Sequence, residues 1–277
     1  MGRHAKTQVM LDTAGELLAA HHPMTVRQLH YQLVSRQVIE NSRSAYRAVS
    51  NLLVEARKDE TIPWEWIEDR LRRPRQVSMW EDPADFAETA QARYRKNVWV
   101  TQASYAEVWL EKDALSGIFE DMLDGYGVTL NVGRGYDGWD SIHKAATRYR
   151  DRDGVTVLYF GDFDPSGEDM VRSLTERLAF FGCTPEIVKY ALTHQDITRY
   201  HLPPDFTKRT DTRAPKFIAK YGDVSVELDA LPVDILRNRI TESIETRMDL
   251  EALRRTKQAE TRERSPLAAA LNSPGIG

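Results

Sequence analysis

The stretch that most limits what this chain can fold into is Val155-Thr-Val-Leu-Tyr-Phe-Gly-Asp-Phe-Asp-Pro-Ser-Gly167. An apolar run of strand length ends abruptly in Asp162-x-Asp164, followed by Pro165 and Gly167. Alternation along an extended chain puts residues two apart on one side, so the two carboxylates point into one volume. Like charges held that close repel unless a cation or a proton stands between them. The pattern predicts a Mg²⁺ site at the C-terminal end of a parallel strand, the edge where open α/β sheets place their chemistry. The same acids also suit a plainer role as loop formers and helix caps.

The surrounding rhythm supports a sheet. Strands are predicted at Val108–Leu110, Val128–Val132, Val155–Phe160 and Glu186–Ala191, with helices between them at Ala114–Leu123, Trp139–Arg150 and Glu168–Phe181. This alternation predicts an α/β fold with a parallel sheet and helices on its faces. The first strand then ends in Glu111 and the third in Asp162 and Asp164, and adjacent strand mouths bring the three acids together. Oxygen-only ligation favours Mg²⁺ or Mn²⁺ over zinc. Mg²⁺ keeps waters and binds substrate phosphates, which points to phosphodiester chemistry. Gly161 and Gly167 allow a sharp turn and close approach to a phosphate, and the helix near Glu168 directs its N-terminal dipole there. Further on, 202–224 reads as loop, Pro232–Ala252 as a helix with Ile235, Leu236, Ile240, Ile244 and Met248 inward, and the residues from about Gln258 as a frayed tail.

Upstream the pattern is helical. Residues 7–21 form one predicted helix; Thr25 caps a second over Val26–Val38; Asn41-Ser42 opens a third that runs to about Lys58. With Ile62-Pro-Trp-Glu-Trp-Ile67 as a wing strand, these make a winged-helix unit whose third helix faces a DNA groove, with Arg43, Arg47, Arg57 and Lys58 as DNA contacts. A small helical unit with a solvated basic face fits equally. The divisions expected are 1–76 for this unit, 77–104 for a connector, 105–250 for the sheet domain and 251–277 for a flexible tail. Residues 1–76 carry twelve Lys+Arg against nine Asp+Glu, which leaves a net −7 on the remainder of a chain of net charge −4. A mildly basic unit joined to an acidic one suits a DNA-docking module beside a metal-binding one. No apolar run reaches membrane-spanning length, and the start does not read as a signal peptide. Cys183 is the only cysteine, which excludes an intrachain disulfide and a cysteine-based zinc cluster and makes the cytoplasm the expected compartment.

Glu111-Lys-Asp-Ala-Leu after a strand, followed by Asp162-x-Asp164-x-x-Gly167 after another, resembles a Toprim domain over Tyr105 to Ala191. The resemblance implies that Glu111, Asp162 and Asp164 hold Mg²⁺, with Glu111 also serving in proton transfer. Lys112 either contacts a phosphate or caps the strand end. Thr25-Val-Arg27-Gln-Leu-His-Tyr31 resembles the active-site helix of the A subunit of type IIB DNA topoisomerases and of the related meiotic break-forming transesterase, in which a winged-helix domain precedes a Toprim domain. In that family an arginine stands four residues before the tyrosine that attacks DNA. Arg27 and Tyr31 have this spacing, one turn apart on one helix face. A tyrosine is protonated at neutral pH, so an adjacent cation favours the phenolate and binds the phosphate under attack. The chain departs from the family in one place: two successive tyrosines are usual there, and here they are His30-Tyr31. His30 is then a packing residue or a local proton acceptor. A tyrosine on an amphipathic helix otherwise reads as core packing.

The resemblance implies a Mg²⁺-dependent protein that cleaves double-stranded DNA through a phosphotyrosyl adduct, nucleoid-associated, as a homodimer in which the tyrosine of one subunit serves the metal site of the other. Strand passage would need a separate ATPase subunit, since the chain has no Gly-rich phosphate loop. Two other classes stay open: a Toprim nuclease that uses metal-activated water, and a non-enzymatic DNA-binding accessory protein. Arg134 and Tyr136 line the same cleft or belong to a Gly-rich turn; Lys208, Arg209, Arg213, Lys216 and Lys220 hold a DNA backbone or are solvated; Glu227 adds a carboxylate to the site.

Overall fold

The computed structural model describes residues 2–68, 77–133, 138–205, 207 and 210–271. The basic run Arg70–Arg75 and the residues Arg134, Tyr136, Lys208 and Arg209 lie outside them.

The chain opens with α1 (Gly2–His21), α2 (Val26–Ser35) and α3 (Arg43–Lys58). Thr25 closes a capping box on α2: its hydroxyl accepts from Gln28 N, and the Gln28 side chain accepts from Thr25 N. Ser42 caps α3 through Ala45 N. Helix α2 stops at Ser35, short of Val38, because the chain turns through a left-handed Gln37 (φ 57°). Leu17, Leu18, Leu29, Leu33, Val49 and Leu53 are buried together. The expected wing strand is replaced. Pro63, which has no N–H to give to a ladder, starts a 3₁₀ turn over Trp64–Trp66, and only Ile67 pairs, in an isolated bridge with Met24.

The sheet consists of β1 (Tyr105–Leu110), β2 (Thr129–Val132), β3 (Val155–Phe160) and β4 (Glu186–Ala191), in the order β2-β1-β3-β4 and parallel throughout. Helices α5 (Ser116–Asp124), α6 (Trp139–Tyr149) and α7 (Pro165–Phe180) connect the strands. The protein is an α/β fold with a four-stranded parallel sheet flanked by helices. Every residue of β1 is buried, as a central strand covered on both faces requires. One contiguous apolar cluster runs from Met10 in α1 to Leu253, so the amino-terminal helices and the sheet share a core.

Beyond α8 (His194–Arg199), the region expected to be loop contains α9 (Ala214–Tyr221). The single helix expected over Pro232–Ala252 is two: α10 (Val233–Glu245), then α11 (Leu250–Leu271), with Asp249 capping the second through Glu251 N and Ala252 N. Most of the expected tail is therefore helix. Its polar residues have partners: Glu260 accepts from Lys96 N and from Arg264, and Glu263 accepts from Tyr94 Oη and Lys96 Nζ. These contacts dock α11 beside α4 (Pro83–Arg93). Among the described residues no helix is long and apolar enough to cross a membrane.

The turn from β3 into α7 sets the site. Asp164 is the N-cap of α7 and accepts from Gly167 N at 2.7 Å, with Pro165 opening the helix. A Cβ at Gly167 would collide with the Asp162 carbonyl oxygen. Gly167→Ala is expected to lower stability by about 1–3 kcal/mol in urea unfolding; an unchanged midpoint would show that this turn relaxes freely.

Candidate active site

Parallel pairing of β1 with β3 sets Leu110 opposite Phe160, so Glu111 emerges beside Gly161 and Asp162. Glu111 N donates to Phe160 O, and Glu111 Oε2 accepts from Asp162 N and from the Tyr159 hydroxyl, both at 3.0 Å. Gly161 is confined to glycine by this arrangement, because a Cβ there would run into Glu111 Oε2 and the Tyr159 hydroxyl. Asp162 Oδ1 accepts from Leu228 N at 2.7 Å. Lys189 donates to the Asp162 carbonyl and to Glu168, bracing the turn from β4. The Tyr159 phenol is pushed far up, first by burial and then by Glu111, with Asp162 and Asp164 adding to it. All three predicted acids thus bear on one hydroxyl. Asp164 has a second task, since its Oδ1 is taken up by the N-terminus of α7.

Lys112 lies at the centre. Its ammonium stands 2.7 Å from Asp229, 3.0 Å from Glu227 and 3.2 Å from Asp162. Among the described residues, no three acidic, imidazole or thiol side chains are set around a ready metal position; the nearest acids close on this ammonium instead. Burial works against the charge on Lys112, but Asp229, Asp162 and Glu227 outweigh it and hold its pKa above the ordinary lysine range. Glu227 in turn accepts from Arg27 Nη1 at 2.5 Å. Lys112 and Arg27 together hold Glu227 below the usual glutamate range despite its burial. Alternating charges therefore run from Arg27 on α2 through Glu227 and Lys112 to Asp162 on the sheet. For Glu227 the sequence offered the acid-bearing alternation of Val224-Ser-Val-Glu-Leu-Asp229; for Asp229 and for the bridging part of Lys112 it offered no separate signal.

Tyr31 is on α2, 8 % exposed. It lines a cleft of about 420 Å³ with Arg27, His30, Arg43, Tyr46 and Arg47. Its phenol is pushed above the ordinary range chiefly by burial, with Glu227 adding and Lys112 and Arg27 opposing. His30 packs edge-on against both Tyr31 and Tyr46, its Nε2 lies 3.5 Å from Asn41 Oδ1, and burial lowers its pKa while the Asn41 contact opposes. Of the basic residues predicted on α3, Arg43 and Arg47 reach this cleft. Arg57 lies over Trp64 and donates to Leu53 O, and Lys58 pairs with Glu55 on the exposed side. Arg213 pairs with Asp211 and Asp169.

No protein-family model matches this chain, and no curated protein matches it.

Asp162 is pushed up to about 7, chiefly by burial, with Glu111 adding and Lys112 opposing. A raised carboxyl pKa means that the folded protein keeps a proton which the unfolded chain has already released above about 4. Asp162 therefore subtracts stability as pH rises from about 4 to about 7. In thermal or urea unfolding with a chelator present, Asp162→Asn is expected to gain on the parent by on the order of 2 kcal/mol between pH 5 and pH 8. A constant difference across that interval would contradict the assignment.

Proposed function

We propose that this protein is a Mg²⁺-dependent DNA-cleaving protein of the type IIB topoisomerase A-subunit class. In this reading a winged-helix-like unit precedes a Toprim-like sheet, and DNA breaks by transesterification to Tyr31. One observation carries the reading: the Tyr31 cleft and the acidic edge of the sheet are contiguous, joined by the contacts Arg27–Glu227 and Lys112–Asp162. A scissile phosphate seated there would meet a hydroxyl nucleophile, two cations and a carboxylate cluster together.

The residues proposed for Mg²⁺ are Glu111, whose carboxylate accepts from Asp162 N across the β1–β3 edge, Asp162 itself, and Asp164 at the start of α7. Bound there, the ion would neutralise charge on the phosphate oxygens. The Tyr31 hydroxyl gives up its proton to water as its oxygen forms a bond to phosphorus, the bond from phosphorus to the sugar oxygen breaks, and the leaving oxygen takes up a proton relayed through Glu111, so that no net proton is consumed. The phosphotyrosyl link keeps the bond energy, so the break can be resealed without an energy source. Arg27 and Lys112, the cations whose charge favours the Tyr31 phenolate, would turn to the phosphate. Arg43 and Arg47 on the cleft wall would follow the backbone of double-stranded DNA. Because Tyr31 and the acids of one chain are contiguous, each tyrosine would serve its own subunit's site and not the partner's as the resemblance implied; a homodimer would still supply a tyrosine for each strand, and strand passage would call for a separate ATPase subunit.

The burial of Tyr31 and its firmly protonated phenol favour a second reading, hydrolysis by metal-activated water at the same acids. One experiment separates the two. Protein incubated with Mg²⁺ and duplex DNA, then denatured, should carry covalently bound DNA. Tyr31→Phe should lose the adduct and the breaks by about 10³-fold or more, and Asp162→Asn should lose both as well. Full cleavage by Tyr31→Phe, with loss only in Asp162→Asn, would replace transesterification by hydrolysis.

A further inference from the structure

We infer that Asp162, Glu227 and Asp229 form a cation slot whose resident occupant is the Lys112 ammonium, and that a divalent ion of the Mg²⁺ or Mn²⁺ class enters it by displacing that ammonium. The inference builds on the metal-dependent reading above, but its ligand set is different. Asp162 is common to both sets, while Glu227 and Asp229 belong to neither sequence motif.

The slot is built by two distant pieces of chain. Asp162 follows β3, and the segment 224–230 returns across it through the antiparallel bridge Phe163–Val226 and the bond from Leu228 N to Asp162 Oδ1. Three carboxylates then face one Nζ at 2.7–3.2 Å. An ammonium has three hydrogens to give, which accounts for its fit. The three carboxylates face two cations, Lys112 among them and Arg27 on Glu227 from outside. When all three acids are ionised, a doubly charged ion in place of the ammonium would offset the third carboxylate.

Asp229 carries a second sign. The residue is 1 % exposed, and its Oδ1 has no hydrogen-bond partner while Oδ2 meets Lys112. A carboxylate oxygen buried without a donor is costly. Coordination to a hard cation gives such an oxygen a partner, because oxygen ligands at short range are what Mg²⁺ and Mn²⁺ require. Lys112 is suited to leave: it follows the end of β1, and its four-carbon stem can swing without moving the ladder.

The test uses full-length protein, Mn²⁺ and no DNA. In calorimetric titration, Lys112→Met should bind Mn²⁺ more tightly than the parent by about tenfold or more, and unchanged or weaker binding would overturn the slot. If Lys112→Met does not fold, Asp229→Asn decides. It should lose about 10- to 100-fold in Mn²⁺ affinity, together with the rise in melting temperature that Mn²⁺ gives the parent. If Mn²⁺ binding disappears in Asp162→Asn but persists at parental strength in Asp229→Asn, the ion is held by Glu111, Asp162 and Asp164, and the slot is wrong while the cleavage reading stands. A tight Mn²⁺ site lost in Asp229→Asn, in a protein that forms no DNA adduct and makes no DNA breaks, would keep the slot and remove the cleavage reading.

Discussion

A lysine ammonium shared by three carboxylates is the interaction on which the acidic end of this molecule depends. Buried charge is unfavourable unless paired and hydrogen-bonded. The Asp229 side chain is fully buried and that of Asp162 largely so, and both face the Lys112 ammonium. Removing one partner leaves the others uncompensated, so the cluster behaves as a unit. Through Glu227 and Arg27 the same unit reaches α2. The helix that carries Tyr31 is thus tied by charge to the segment that crosses Asp162.

This coupling gives the reactive groups their resting character. Tyr31 feels the negative charge of Glu227 against the positive charge of Lys112 and Arg27, and burial tips the balance toward the protonated phenol. Drawing Lys112 or Arg27 away would remove charge that favours the phenolate, whereas a divalent cation at Asp162 would add positive charge near Tyr31.

The parallel sheet was legible because its signals are local. The runs Val155–Phe160 and Glu186–Ala191 are strands with the predicted bounds, and their alternation with helices brought Glu111 alongside Asp162. The capping signals at Thr25 and Ser42 were legible for the same reason. Distant pairings were not. The contact of Leu228 with Asp162 spans 66 residues, and nothing in either stretch announces the other. Lys112 therefore read as a phosphate contact or a strand cap, when it is shared among acids from two parts of the chain. Alternation indicated that Asp162 and Asp164 face one side, and the plainer reading of the same acids as helix caps holds for Asp164, which caps α7. Helix α11 was missed because its docking rests on polar contacts to Tyr94 and Lys96 more than on an apolar stripe. The expected wing failed on one residue, Pro63, which begins a turn where a strand was predicted.

The central claim is that the carboxyl edge of the sheet, gathered around Asp162, receives a divalent cation next to the Tyr31 cleft. Anomalous diffraction from crystals soaked in Mn²⁺ tests it most directly. The account predicts a Mn²⁺ peak about 2 Å from an Asp162 carboxylate oxygen, with the Lys112 side chain moved from its present place. Crystals in which Mn²⁺ leaves these carboxylates bare and Lys112 still bridging them would contradict it.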